Sequence, residues 1–360
     1  MRGRVSLVVL LALALAGCSG TDQSTTPAAK PGDFVLHAHA VQVGNAEGKP
    51  SAYDGISILV PLGQCAIGIG VYDTGNGTAG AHWTGGTDCT SFKVPAPSGG
   101  LTATAAVAMA DGSVVGGTNA LRRLSPEGTV TTLADLTPRP DRINAIVRSG
   151  DRLVIGGGQL GEDKSTPLMW TSDDGGKSVT PVQLPQVNGI VGPMAANGDT
   201  VVAIEQLAKD GPLGSWRSAD GGRTWQLAEI NTGPAGPIIT NLLRTAHGWL
   251  IVGTGEDEHN PAGRPFLASS SDGAAWQVVD TSKLDAGQVV DATVTKSDDV
   301  VIIGSAPTSD SKSGCSAAWV GPVGSMHRVD LGCDDVAKAT TTLADGRVII
   351  VGASSVWVRA

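Results

Sequence analysis

The sequence predicts an all-β chain: a seven-bladed β-propeller of four-stranded antiparallel blades, with an N-terminal strand closing the last blade. Three observations carry this. Short β-branched runs ending in a small residue recur at Ala66, Val114, Val154, Val201, Ile251, Ile302 and Ile350, with gaps of 48, 40, 47, 50, 51 and 48 residues. A turn dipeptide such as Asp111-Gly112, Asn197-Gly198 or Asp345-Gly346 stands before most of these runs, and Asp-Gly and Asn-Gly suit the positive φ of a two-residue hairpin. A Trp follows most runs, at Trp83, Trp170, Trp216, Trp319 and Trp357, with Leu121 and Phe266 or Leu267 expected in its place elsewhere. A period near 45 residues with four short strands per unit is the pattern of a propeller blade.

Composition agrees. Gly is 50 of 360 residues, charged residues are 16% and apolar residues 41%. So apolar a chain is not disordered. Its one long apolar run, Val5–Ala16, is too short to span a bilayer. A net charge of −9 argues against non-specific nucleic-acid binding, and no nucleic-acid partner is expected.

In chain order, Arg2 and Arg4 precede the apolar run as in a secretory signal, predicted over residues 1–17. The run ends Leu15-Ala16-Gly17-Cys18, which resembles a bacterial lipobox. That resemblance implies a diacylglyceryl thioether on Cys18 as the mature N-terminus, and a cell-membrane location on the extracytoplasmic side. Residues 18–33 are small, polar and Pro-punctuated, a flexible tether with a reach of about 20 Å. The propeller domain is predicted over 34–360, with Phe34–Val43 as the strand that pairs onto blade 7 and removes an exposed edge. Cys65, Cys89, Cys315 and Cys333 form an even set in an exported chain. Three pairings are possible; pairing within one repeat gives Cys65–Cys89 and Cys315–Cys333.

The turns between third and fourth strands carry the most specific motif. Ser218-Ala-Asp220-Gly-Gly222-Arg-Thr-Trp225 fits S-x-D-x-G-x-T-W at every fixed position. Ser172-Asp-Asp174-Gly-Gly176-Lys-Ser-Val departs from it only at Ser178 and Val179, and Ser270-Ser-Asp272-Gly-Ala-Ala-Trp276 is one residue shorter. These three resemble the Asp-box (BNR-repeat) propellers, which include sialidases, xyloglucan-active hydrolases, sortilin-type receptors and a photosystem assembly factor. The resemblance implies that the boxes are structural: Ser and Asp oxygens accept turn N–H groups, the glycines permit the tight backbone, and Trp225 and Trp276 bury beneath the hairpin.

Function falls to the loops that join second to third strands. Five are long, at Ile69–His82, Gly157–Met169, Ile204–Ser215, Thr254–Pro265 and Ser305–Ala318, and rigid scaffolds commonly display function on such loops. The acidic Glu256-Asp257-Glu258-His259 reads as a solvated loop. His37 and His39, two apart on the predicted strand, would share one face but lack a third metal ligand. Arg122, Arg123, Arg139, Arg142, Arg148 and Arg152 read as surface balance in an acidic protein. A sialidase would need an arginine triad and a late-blade Tyr nucleophile, yet the only tyrosines are Tyr53 and Tyr72, both in blade 1. Glu162, Asp163, Glu205 and Glu256 are the carboxylates of the long loops that a two-acid hydrolase would draw on. The reading is a monomeric, lipid-anchored binding or assembly module for a protein or glycan, with no catalytic residue, cofactor or metal assigned. A sialidase-like glycoside hydrolase and a non-catalytic carbohydrate-binding surface protein are the alternatives.

Overall fold

The structure, a computed structural model, describes residues 34–43, 55–73, 77–94, 99–185, 187–207, 212–233, 236–256, 263–307 and 314–360. The expected leader and tether, Cys18 included, and Tyr53 lie outside them. The described residues form short strands and no helix, so no helix is long and apolar enough to cross a membrane.

The strands group into seven four-stranded antiparallel sheets. Blade 1 comprises Gly55–Leu62, Cys65–Asp73, Thr78–Gly85 and Phe92–Lys93; blade 2 comprises Ala105–Ala108, Val114–Gly117, Leu121–Leu124 and Val130–Thr132. Blade 3 is Arg142–Ser149, Arg152–Gln159, Thr166–Ser172 and Thr180–Val182, and blade 4 is Ile190–Asn197, Thr200–Gln206, Leu213–Ser218 and Gln226–Ile230. Blade 5 is Ile238–Thr245, Gly248–Gly255, Arg264–Ser270 and Gln277–Val278, and blade 6 is Gln288–Val294, Val300–Ala306, Cys315–Gly321 and His327–Gly332. Blade 7 is Ala339–Thr342, Val348–Val351 and Val356–Arg359, and its outer strand is Val35–His37 from the start of the chain. First strands pack against one another around the ring, with blade 1 against blade 7. The predicted closure therefore holds.

Burial follows from strand alternation. Side chains in the second strand point alternately to the preceding and the following blade. The core is thereby divided into seven apolar layers, one at each blade junction. The third-strand tryptophans Trp83, Trp170, Trp216 and Trp319 are fully buried, each facing the preceding blade. Indole N–H groups then reach back across the junction: Trp83 donates to Gln42 O at 2.9 Å, Trp170 to Thr137 O at 3.0 Å, Trp216 to Pro185 O at 2.9 Å and Trp357 to Leu331 O at 3.1 Å. A buried indole usually finds such a partner; that of Trp319 has none among the described residues. The motif thus joins consecutive blades as well as filling them.

Several expectations are corrected. Pairing register places Arg122 opposite Gly116 and Ala268 opposite Ile251, so these residues, not Leu121 and Phe266 or Leu267, stand where other blades have Trp. Only Val35–His37 of the Phe34–Val43 stretch is a strand. His39 follows in a turn at φ 54°, so His37 and His39 do not share a strand face. Alternation of polar and apolar residues continues through that turn, which is why the sequence reads as one strand. Both predicted disulfides are present, Cys65–Cys89 and Cys315–Cys333.

The three serine–aspartate turns share one hydrogen-bond plan. Ser218 Oγ donates to Asp220 Oδ1 at 2.8 Å and accepts the Gly222 amide at 2.8 Å. Asp220 in turn accepts the Thr224 amide at 2.9 Å and the Thr224 hydroxyl at 2.7 Å. Ser172, Asp174, Gly176 and Ser178 repeat this in blade 3. In blade 5, Ser270 meets Asp272 and the Gly273 amide, and Asp272 accepts the amides of Ala274 and Ala275. Gly176 and Gly222 sit at φ 90° and 86°, a region closed to most side chains. Trp225 is buried, with its indole N–H on Gly222 O at 3.0 Å. Trp276 departs from expectation: the shorter turn leaves it half-buried, donating to Ser215 Oγ of blade 4 at 3.2 Å.

Candidate functional site

Antiparallel alternation separates two faces. First-to-second and third-to-fourth turns share one end of the ring; second-to-third loops and inter-blade connections share the other, here the loop face. Strands climb well into the five long loops, leaving Asp73 to Thr78, Gln159 to Thr166, Gln206 to Leu213, Gly255 to Arg264 and Ala306 to Cys315 as the gaps between strand ends. About half of the residues expected to be loop are therefore hairpin strand. Of the acidic Glu256–His259 cluster only Glu256 falls among the described residues, and it is exposed.

Glu205 is the one buried acid among the predicted loop-face carboxylates; Glu162 and Asp163 are exposed on blade 3. It is the penultimate residue of the second strand of blade 4, where its Oε2 accepts the Gly214 amide at 2.8 Å. The slot exists because two neighbours lack side chains. A Cβ on Gly189 would lie 2.5 Å from Oε1, and one on Gly214 would lie 2.7 Å from Oε2. Desolvation raises the pKa of Glu205, against the opposing pull of the Gly214 bond.

A second acid sits toward the bore. Asp291, on the first strand of blade 6, receives three bonds: Asn241 Nδ2 from blade 5 at 2.7 Å, its neighbour Ala292 N at 2.9 Å and Thr340 N from blade 7 at 2.8 Å. It keeps some surface open to the bore, yet desolvation pushes its pKa up. Related bonds cross other junctions: Asn144 Nδ2 to Val191 O at 2.7 Å and Thr104 Oγ1 to Ile143 O at 2.5 Å. First strands carry a register shift near this level in blades 1, 3, 4, 5 and 6, which frees the bulged residue from the ladder. At the turn-face end, the bore opens into an apolar vestibule of about 390 Å³ walled by Val60, Ala108, Ile146 and Ala196.

Other predicted residues are dispersed. Tyr72 is buried with its ring 6.2 Å from that of Trp83, a packing contact. Arg139 and Arg142 are exposed at the loop face, while Arg123 pairs with Asp111 at 3.1 Å and Arg148 lies 3.8 Å from Asp151. Arg152 is more than charge balance: it binds Asp173 at 2.6 Å and reaches the Asp220 carbonyl at 3.4 Å. Asp291 and the buried His82, whose burial lowers its pKa, were missed from the sequence. A signal for Asp291 exists: it and Asn241 occupy the same position in consecutive repeats, 50 residues apart, as polar residues in an apolar strand. His82 leaves no such trace.

No protein-family model matches the chain, and no curated protein matches it in sequence. Its fold is similar to that of a streptogramin B lyase, at 13% identity and TM-score 0.61 over 91% of this chain and 97% of that one. It also resembles the Niastella koreensis GH74 enzyme, at 11% identity and TM-score 0.57, over 90% of this chain but only 53% of the enzyme. The WD40 β-propeller domain of Doa1 follows at 13% identity and TM-score 0.55, over 86% of this chain and 94% of that one. Identities this low establish a shared propeller fold and carry no chemistry with them.

Proposed function

We propose that the chain is a lipid-anchored extracytoplasmic propeller that binds a protein or glycan on its loop face and acts as a binding or assembly module. The observation that supports it most is how the two desolvated acids are employed. Glu205 holds the Gly214 amide, and Asp291 ties blades 5, 6 and 7 together. Each is spent on the scaffold, leaving the exposed loop residues to meet a partner. The serine–aspartate turns support an Asp-box ancestry, and the lipobox-like Leu15–Cys18 supports the anchor. Metabolic labelling with a fatty acid should mark the wild-type chain and miss Cys18→Ser.

One observation favours a second reading, a sialidase-like glycoside hydrolase: a carboxyl with a raised pKa on the loop face is the form a general acid takes. A fluorogenic sialoside and glycan panel on the whole protein separates the readings. A binding module gives no turnover with wild type or Glu205→Gln. Turnover by wild type that disappears in Glu205→Gln would make the protein a hydrolase. Retention of a glycan without turnover would make it a carbohydrate-binding surface protein.

A further inference from the structure

The turn face holds a sizeable cavity, and the repeats explain why it is there. Four residue pairs occupy one position on successive blades: Val115 beside Arg123, Val154 beside Thr171, Val202 beside Arg217 and Leu250 beside Ser269. On blades 2, 3 and 4 this position is a seat, covered by the serine–aspartate turn of the following blade. Gly222 packs so closely on blade 3 that an added Cβ would lie 2.8 Å from Val154, and Gly273 on blade 4 leaves 2.5 Å to Val202. On blade 2 the cover is looser: a Cβ on Gly175 would lie 3.7 Å from the Arg123 guanidinium, an ordinary contact.

Blade 6 has no such turn. Its Gly321-Pro322-Val323-Gly324-Ser325 closes tightly, with the Ser325 amide on Pro322 O at 3.0 Å. The seat on blade 5 is consequently uncovered and forms a cavity of about 650 Å³, within the range of small-molecule sites. Leu250 and Ser269 form its floor, Trp249 and Trp276 one wall, and Asp298 and Asp299 of blade 6 another.

It lacks the arginine that the filled seats pair with their aspartates. There an arginine accompanies the turn: Arg217 Nε donates to Asp272 O at 2.8 Å, and Arg152 reaches the Asp220 and Gly221 carbonyls. Here Ser269 stands where Arg123 and Arg217 stand, and two carboxylates enter the wall. Asp298 is fixed in place, its Oδ1 accepting the Ala246 amide at 2.7 Å and its Oδ2 lying 3.8 Å from His247 Nε2. Arg244 already takes one indole of the cavity: its guanidinium lies 5.5 Å over the Trp249 ring and bonds the Thr245 and Gly248 carbonyls, so Trp276 is the indole left to a ligand. We propose that this vacant seat binds a small organic cation: an amidine, guanidine or amine on a flat apolar body. The carboxylates supply the charge partner, and the half-buried Trp276 indole suits both a flat ring and a cation.

Benzamidine, neutral benzamide and anionic benzoate share one shape and separate charge from size. In calorimetry on the full-length protein, benzamidine should bind at least about tenfold more tightly than the other two, and more weakly as salt rises. The Asp298→Asn/Asp299→Asn double variant should lose about tenfold in benzamidine affinity; Asn tolerates the φ of 66° at position 298. Ser269→Arg installs the arginine found at this position on blades 2 and 4 and should abolish binding with an unchanged melting temperature. Benzamide binding as tightly as benzamidine, no benzamidine binding at millimolar concentration, or full affinity retained in Ser269→Arg would each overturn the proposal.

Discussion

At the scale of single residues, similar motifs hold dissimilar side chains. Trp225 is buried and bonded within its own turn, whereas Trp276 is half-buried and bonded to a neighbouring blade. Removing a buried aromatic costs about 3–5 kcal/mol, so Trp225→Ala should lose that much in denaturant unfolding, and Trp276→Ala about half or less. Equal losses would mean the shorter turn buries its Trp as deeply as the full one. The aspartates add a pH dependence. The Ser178 hydroxyl and amide hold Asp174 at a pKa of about 2. Asp220 also falls to about 2: burial works against it, and the Thr224 hydroxyl and amide outweigh burial. A carboxylate depressed in the folded state stabilises above its ordinary value of 3.8 and loses that contribution as pH falls towards 2. Asp220→Asn should therefore lower the unfolding midpoint at pH 7, with the gap from wild type shrinking between about pH 4 and 2. A gap that does not change with pH would assign the loss to geometry alone.

At the scale of elements, the closing segment shows how far the sequence could be read. That residues 34–43 join the last blade is legible from a leftover strand pattern before blade 1. What is not legible is which part holds. Val35 and Leu36 pair with Val358 and Trp357 yet remain about half exposed. Three residues further on, the chain leaves the strand and stitches blade 7 to blade 1. The Val41 amide bonds Ser354 O and the Gln42 amide bonds Phe92 O, while Gln42 O receives the Trp83 indole. Val41 itself is buried. These bonds depend on a turn at His39 and on partners more than forty residues away, which no local pattern records. Val41→Ala should thus cost roughly 1.5–3 kcal/mol and Leu36→Ala under about 1 kcal/mol, measured by urea unfolding. The reverse order would make the paired strand the true latch.

At the scale of the whole molecule, stability resides in seven junctions, and they are not alike. The repeat count, the ring closure and the disulfides were readable because period, leftover strand and spacing are properties of the chain itself. The sites were not, because both candidate regions arise from segments distant in the chain: the Glu205 slot from Gly189, just before blade 4, and Gly214 on its third strand, the vacant seat from a turn that blade 6 lacks. The junctions of blades 2 to 5 are overlaid by serine–aspartate turns, and the one between blades 5 and 6 is not. Asp291 takes up part of that load by bonding Asn241 on one side and Thr340 on the other. Removing its carboxylate strands two inter-blade donors, each worth about 1–3 kcal/mol when left unsatisfied. Asp291→Ala should lose roughly 2–4 kcal/mol, and native-state hydrogen exchange should locate the loss. Amides of blade 6 such as Ser325 and Thr295, in turns without a serine–aspartate network, should open at lower free energy than Gly222, whose turn packs against Val154 of blade 3, and in Asp291→Ala they should open first. If every blade instead exchanged at one common free energy, the ring would unfold as a single unit and the ranking of its junctions would fail.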